Sequence, residues 1–171
     1  MLKICRLAVC SICMLAWAAH ADPFTIGGTT YAAVGPTEGL TAPFTLVGGA
    51  ATTGTYYGLI QVEVSGTGYS FGPRLNDAFY VYTGGPVAND GSYYQLRYDD
   101  APMAMLDATK NANLSLVYDI DADAEVTPPY VPAYQASHTY RFVLNTGNVG
   151  PTTLWFGVSD GNFADNGGAY N

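Results

Sequence analysis

Between residues 158 and 168 the chain reads Val-Ser-Asp-Gly-Asn-Phe-Ala-Asp-Asn-Gly-Gly. Two carboxylates (Asp160, Asp165) and two amide oxygens (Asn162, Asn166) lie within a few residues of one another. Glycine reaches positive φ without a Cβ penalty, so this loop can turn backbone and side-chain oxygens inward. Hard oxygen ligands on a short flexible turn are what Ca²⁺ takes. Asp160, Asp165 and Asn166 are therefore the expected metal ligands, with Ca²⁺ as the expected cofactor. Asp, Asn and Gly also build ordinary hairpin turns through local hydrogen bonds, and that reading stands beside the first.

A sugar site needs a polar anchor for hydroxyls beside an aromatic face for the ring. Asn162 supplies the anchor together with Asp160 and Asn166. Trp155 is the expected platform, or Phe163 if the loop turns its ring outward. The alternative buries Phe163 as the loop's hydrophobic pin.

Other candidates are weaker. Asp119, Asp121, Asp123 and Glu125 alternate, which puts all four on one side of an extended segment. The opening resembles an EF-hand loop, but Ala124 stands where Gly is required and Tyr130 where Glu is required. An acidic exposed edge is the expectation there. His138, next to Ser137, has no nucleophile-elbow motif to serve and reads as a surface residue before a strand. The pairs Asp99-Asp100 and Asn76-Asp77 offer carboxylates of the kind glycosidases use, yet their place at strand ends favours capping or turn roles. The glycosylation triplet Asn113-Leu114-Ser115 is assigned no function.

Short strands must position these residues. Stretches 24–26 and 30–34 flank a Gly27-Gly28 turn, and 44–47 follows. In 57–65, Ile60, Val62 and Val64 face one way; in 139–144, Tyr140, Phe142 and Leu144 do the same. Strands are also expected at 78–82, 93–98, 114–118 and from Leu154, which alternates with Phe156 and Val158. The one candidate helix is 103–111. Many short strands separated by Gly and Pro predict an all-β, antiparallel β-sandwich of jelly-roll type.

Residues 1–21 read as a secretory signal peptide: Lys3 and Arg6, an apolar run from Leu7, then Ala19-His20-Ala21 before the cleavage point. Removing it takes away Cys5, Cys10 and Cys13, so no disulfide staples the remaining domain, 22–171. It also leaves four cationic side chains (Arg74, Arg97, Lys110, Arg141) against all fourteen acids, a net −10. Such charge argues against nucleic acid and anionic membrane as partners. The rest of the chain has no apolar run long enough to span a bilayer.

The stretch 154–170 resembles the closing segment of the bacterial calcium-dependent galactose-binding lectins, in which a strand enters an Asp-containing loop followed by Asn, Gly and a last strand. The resemblance implies that Asp160, Asp165 and Asn166 hold Ca²⁺. The run Val62-Glu63-Val64-Ser65-Gly66-Thr67-Gly68 is similar to an earlier core strand and turn of that fold. The mature chain also resembles secreted bacterial PEP-CTERM proteins, through 66–68, 74–80 and 156–170. That resemblance implies export and association with extracellular polysaccharide. The sorting tail of that group does not occur in residues 1–171, and the sequence stops at Asn171 where a last strand is due, so the expectation is either a fragment or a domain that ends early. The functional expectation is an exported, non-catalytic module that binds calcium and carbohydrate at the cell surface or in the matrix. The alternative is a purely structural matrix protein without a specific ligand.

Overall fold

Alternating apolar residues at 60, 62, 64 and at 140, 142, 144 dictate two strands with one buried face each, and both form in the computed structural model. It describes residues 23–32, 38–71, 74–82, 86–88, 96–102, 114–147 and 150–171. The expected signal peptide and the helix expected at 103–111 lie outside the described residues, as do residues 93–95 and Asn113.

In chain order the strands are β1 (Phe24–Ile26), β2 (Thr29–Tyr31), β3 (Ala42–Pro43), β4 (Ala50–Ala51), β5 (Leu59–Ser65), β6 (Gly68–Phe71), β7 (Arg74–Asn76) and β8 (Tyr80–Tyr82). They continue with β9 (Pro86–Ala88), β10 (Leu96–Asp99), β11 (Ser115–Asp119), β12 (Ala124–Glu125), β13 (Thr139–Asn145), β14 (Trp155–Val158) and β15 (Gly167–Tyr170). A single 3₁₀ turn, Phe163–Asp165, joins β14 to β15.

All the pairings are antiparallel. They build sheets ordered β3-β15-β6-β7-β8-β9, β12-β11-β13-β5 and β10-β14-β4, plus the hairpin β1-β2. In β5 and β13 the alternating residues meet directly: Tyr140 faces Val64, Phe142 faces Val62 and Leu144 faces Ile60. All six belong to one core, with Tyr140, Phe142 and Leu144 fully buried. The six-stranded sheet adds Ala42 and Tyr170 to that core, and the three-stranded sheet adds Ala50, Leu96 and Val158. The protein is thus an antiparallel β-sandwich, held by sheet-on-sheet burial.

The outward side of β13 is covered as well. Val143 packs with Phe24 and Tyr118 beneath the β1-β2 hairpin, and Gly27 N donates to Glu125 Oε1 (2.7 Å) to fasten it. Gly27 and Gly28 have φ of 57° and 77°, as a two-residue hairpin turn requires.

Two expectations need correction. Residues 44–47 are not a strand: Leu46 N donates to Pro43 O (3.0 Å), the chain turns there, and Leu46 and Val47 are exposed. Nor is 119–125 an extended acidic edge. Asp119 is buried at the end of β11, residues 120–123 form a turn, and Asp121 is bound by Arg141 through Nε and backbone N (2.7 and 2.9 Å).

Candidate functional site

The acidic loop leaves β14 and closes on itself. Asp160 is buried, and its Oδ1 accepts from the backbone N–H groups of Gly161 and Asn162. Asn162 caps the 3₁₀ turn by accepting from Ala164 N (3.2 Å). Asn166 Nδ2 donates to Phe44 O (3.0 Å), which ties the loop to the segment after β3. Three oxygens in this loop are buried without a hydrogen-bond partner: Ser159 Oγ, Asp160 Oδ2 and Asn166 Oδ1.

The remaining expected site residues divide. Asp165 is exposed on the 3₁₀ turn, and Phe163 is buried in the core as the loop's pin. Trp155 is half-buried at the start of β14, opposite Asp99 and Ala51. Asp160 lies beyond the other end of that strand, roughly 10 Å or more along extended backbone. Neither ring therefore stands beside Asp160 as a platform. Among the described residues, no group of three or more His, Cys, Asp or Glu side chains is placed to hold a metal. An ion here would rest on Asp160 and neutral oxygens.

A second polar centre joins the two larger sheets. Asp77, between β7 and β8, is fully buried. Its Oδ1 accepts from Phe79 N (2.9 Å) and Tyr80 N (2.8 Å), the turn role expected from its position. Its Oδ2 accepts from Tyr82 Oη (2.7 Å), Tyr140 Oη (2.8 Å) and His138 Nδ1 (3.0 Å). Burial, followed by donation to Asp77, pushes the Tyr82 and Tyr140 hydroxyls well above the ordinary tyrosine range. They therefore remain donors at any physiological pH. Tyr170 Oη, donating to Asp77 O (3.3 Å), and the buried Ser70–Asn76 hydrogen bond (2.7 Å) extend this seam.

His138 is half-buried rather than a simple surface residue. Its Nδ1 meets both Asp77 Oδ2 (3.0 Å) and Tyr82 Oη (2.8 Å), and Nε2 is the remaining nitrogen. The period of two that turns Tyr140 and Phe142 inward does not extend to His138, which precedes β13 with φ of 54°. Nor does spacing point to its partner Asp77, which lies 61 residues away in the chain.

Around His138 the rings pack edge-on: Tyr82 at 5.3 Å and Tyr134 at 6.2 Å between centroids. Comparison with protein-family models, with curated proteins and with solved structures found no match to this chain.

Proposed function

We propose that the chain is an exported, non-catalytic β-sandwich module that binds Ca²⁺ through its C-terminal loop and carbohydrate of the cell surface or exopolysaccharide matrix. The observation that carries the reading is the orphaned pair of oxygens, Asp160 Oδ2 and Asn166 Oδ1. Leaving a buried acceptor unpaired costs about 1–3 kcal/mol, and more when it is charged. A hard cation removes that cost and supplies cross-linking charge where β14 runs towards β15. Asp160 and Asn166, with the buried hydroxyl of Ser159, would hold it, and Asp165 adds negative charge to the same loop. The ion's role in this reading is to fix the loop, because Phe163 is buried and Trp155 lies at the other end of β14.

The way the buried carboxylates are used supports a binding role over catalysis. Asp77 accepts from two backbone amides and two tyrosine hydroxyls, and Asp119 accepts from Asp121 N, Ala122 N and Tyr130 Oη. Both are committed to holding turns and sheets together. The net −10 of residues 22–171 fits a cation and an uncharged polymer better than a polyanion.

The self-closed hydrogen bonding of the loop favours a second reading, a structural matrix protein without a ligand. Calorimetric titration with CaCl₂ separates the two. The calcium reading expects a saturable heat with Kd of about 10⁻⁴–10⁻³ M, the range of extracellular modules, and its loss in Asp160→Asn. Absence of heat from the unaltered protein would leave the structural reading.

A further inference from the structure

We infer that the carbohydrate platform is Tyr134, with His138 Nε2 as its polar anchor, and that its ligand is an uncharged pyranose-containing polysaccharide. This rests on the carbohydrate part of the proposed function, and assigns it to residues away from the calcium loop.

Tyr134 is 39% exposed, yet three neighbours hold its ring: Tyr80 at 5.3 Å, Tyr82 at 6.1 Å and His138 at 6.2 Å, all near perpendicular. Its segment is fixed on both sides. Tyr80 Oη donates to Pro132 O (2.8 Å), and His138 N donates to Gln135 O (2.9 Å). A preorganised aromatic ring loses little freedom on binding, so its apolar contact appears as affinity. The C–H faces of a pyranose supply that contact, and its hydroxyls need hydrogen-bond partners at the rim.

His138 meets that need. Its Nδ1 is engaged by the buried Asp77 carboxylate and by Tyr82 Oη, while Nε2 has no hydrogen-bond partner among the described residues. With Nδ1 engaged inside the protein, Nε2 is left to a sugar hydroxyl, which can donate or accept. The backbone supports a specific placement: His138 has φ of 54°, a conformation that costs a non-glycine residue about 1–2 kcal/mol. Such strain persists where the surroundings over-determine a side chain's position. Here the Asp77–His138 hydrogen bond and the Gln135 turn do so. The chain's strongly negative charge disfavours acidic polymers at the same face.

The test is affinity electrophoresis in native gels containing dextran, galactomannan, xyloglucan, mixed-linkage β-glucan or, for contrast, alginate. At least one neutral polymer should retard the protein, equally with CaCl₂ and with EDTA. Tyr134→Ala should weaken that retardation about tenfold or more, the loss expected of a central aromatic contact. Tyr134→Phe should preserve it, because the ring and not the hydroxyl makes the contact. Both variants should keep the circular dichroism spectrum of the unaltered protein, with Tyr134→Ala melting lower for the ring contacts it loses and Tyr134→Phe close to the parent. Retardation that survives Tyr134→Ala, or that disappears in EDTA and in Asp160→Asn instead, would overturn this site while leaving carbohydrate binding intact. Retardation by no neutral polymer would overturn both.

Discussion

The buried carboxylates of this protein differ in how completely they are satisfied. Both oxygens of Asp77 are satisfied, by two backbone amides and two tyrosine hydroxyls, with the His138 imidazole against Oδ2 as well. Removing it strands buried donors from both large sheets. Asp77→Ala should therefore lower stability by about 3–5 kcal/mol, the usual result of breaking a buried charged network. Urea unfolding measures this, and a loss below about 1 kcal/mol would mean that the cross-sheet network contributes little. Asp160 is the opposite case: one oxygen is bonded within its turn and the other is orphaned. Exposed Asp165 forms neither kind of contact among the described residues. Sequence proximity placed Asp160, Asp165 and Asn166 in one loop, but could not say which of their oxygens would be buried. That depends on Phe163 entering the core and on Phe44 O receiving Asn166.

At the scale of elements, regular alternation was legible and turn chemistry less so. Strands β5 and β13 follow from period-two apolar residues, and their register pairs like with like. The 44–47 stretch has the same composition as a strand, yet it turns. Backbone bonds from Phe44 N to Gly168 O and from Leu46 N to Pro43 O outweigh strand propensity there. The same region depends on glycine. Gly168 has φ of 103°, and a Cβ there would stand 2.5 Å from Gly68 Cα and from Thr67 O. The pairing of β15 with β6 thus requires two bare backbones to touch. Gly168→Ala should destabilise by about 1–3 kcal/mol through overpacking and a disfavoured φ. The denaturation midpoint should fall with an unchanged slope; an unmoved midpoint would show that the strands can separate freely.

Across the whole molecule, tyrosine hydroxyls act as internal donors and burial raises their pKa. Burial pushes Tyr98 and Tyr130 up to about 12, and it also raises Tyr80, Tyr82, Tyr140 and Tyr170. Tyr118 rises chiefly because it donates to Asp123. A group whose folded pKa exceeds its unfolded value stabilises fully below the unfolded value, here about 10, and loses that contribution as pH rises through the folded one. Stability should therefore be flat from neutral to about pH 10 and fall steeply towards pH 12. Phenolate absorbance from these residues should appear together with unfolding. Phenolate formation in a protein that remains folded would contradict the network. The four-donor clamp on Glu38, whose pKa is lowered to about 2 by Thr53 N first and by Tyr56 next, belongs to the opposite, acidic limb.

The proposal that the 159–166 loop binds calcium through its unpartnered oxygens is tested most directly by thermal melting with and without the ion. At a hundred times Kd, a ligand confined to the folded state stabilises by about 2.7 kcal/mol, or roughly 5–10 °C for a domain of this size. The unaltered protein should gain that shift in CaCl₂ over EDTA. Asp160→Asn should show no calcium shift, and in EDTA it should melt no lower than the parent, because Asn keeps the Oδ1 acceptor for Gly161 N and Asn162 N and replaces the unpartnered Oδ2. A melting curve indifferent to calcium, or an Asp160→Asn variant equally destabilised in both conditions, would contradict the account and return the loop to an ordinary turn.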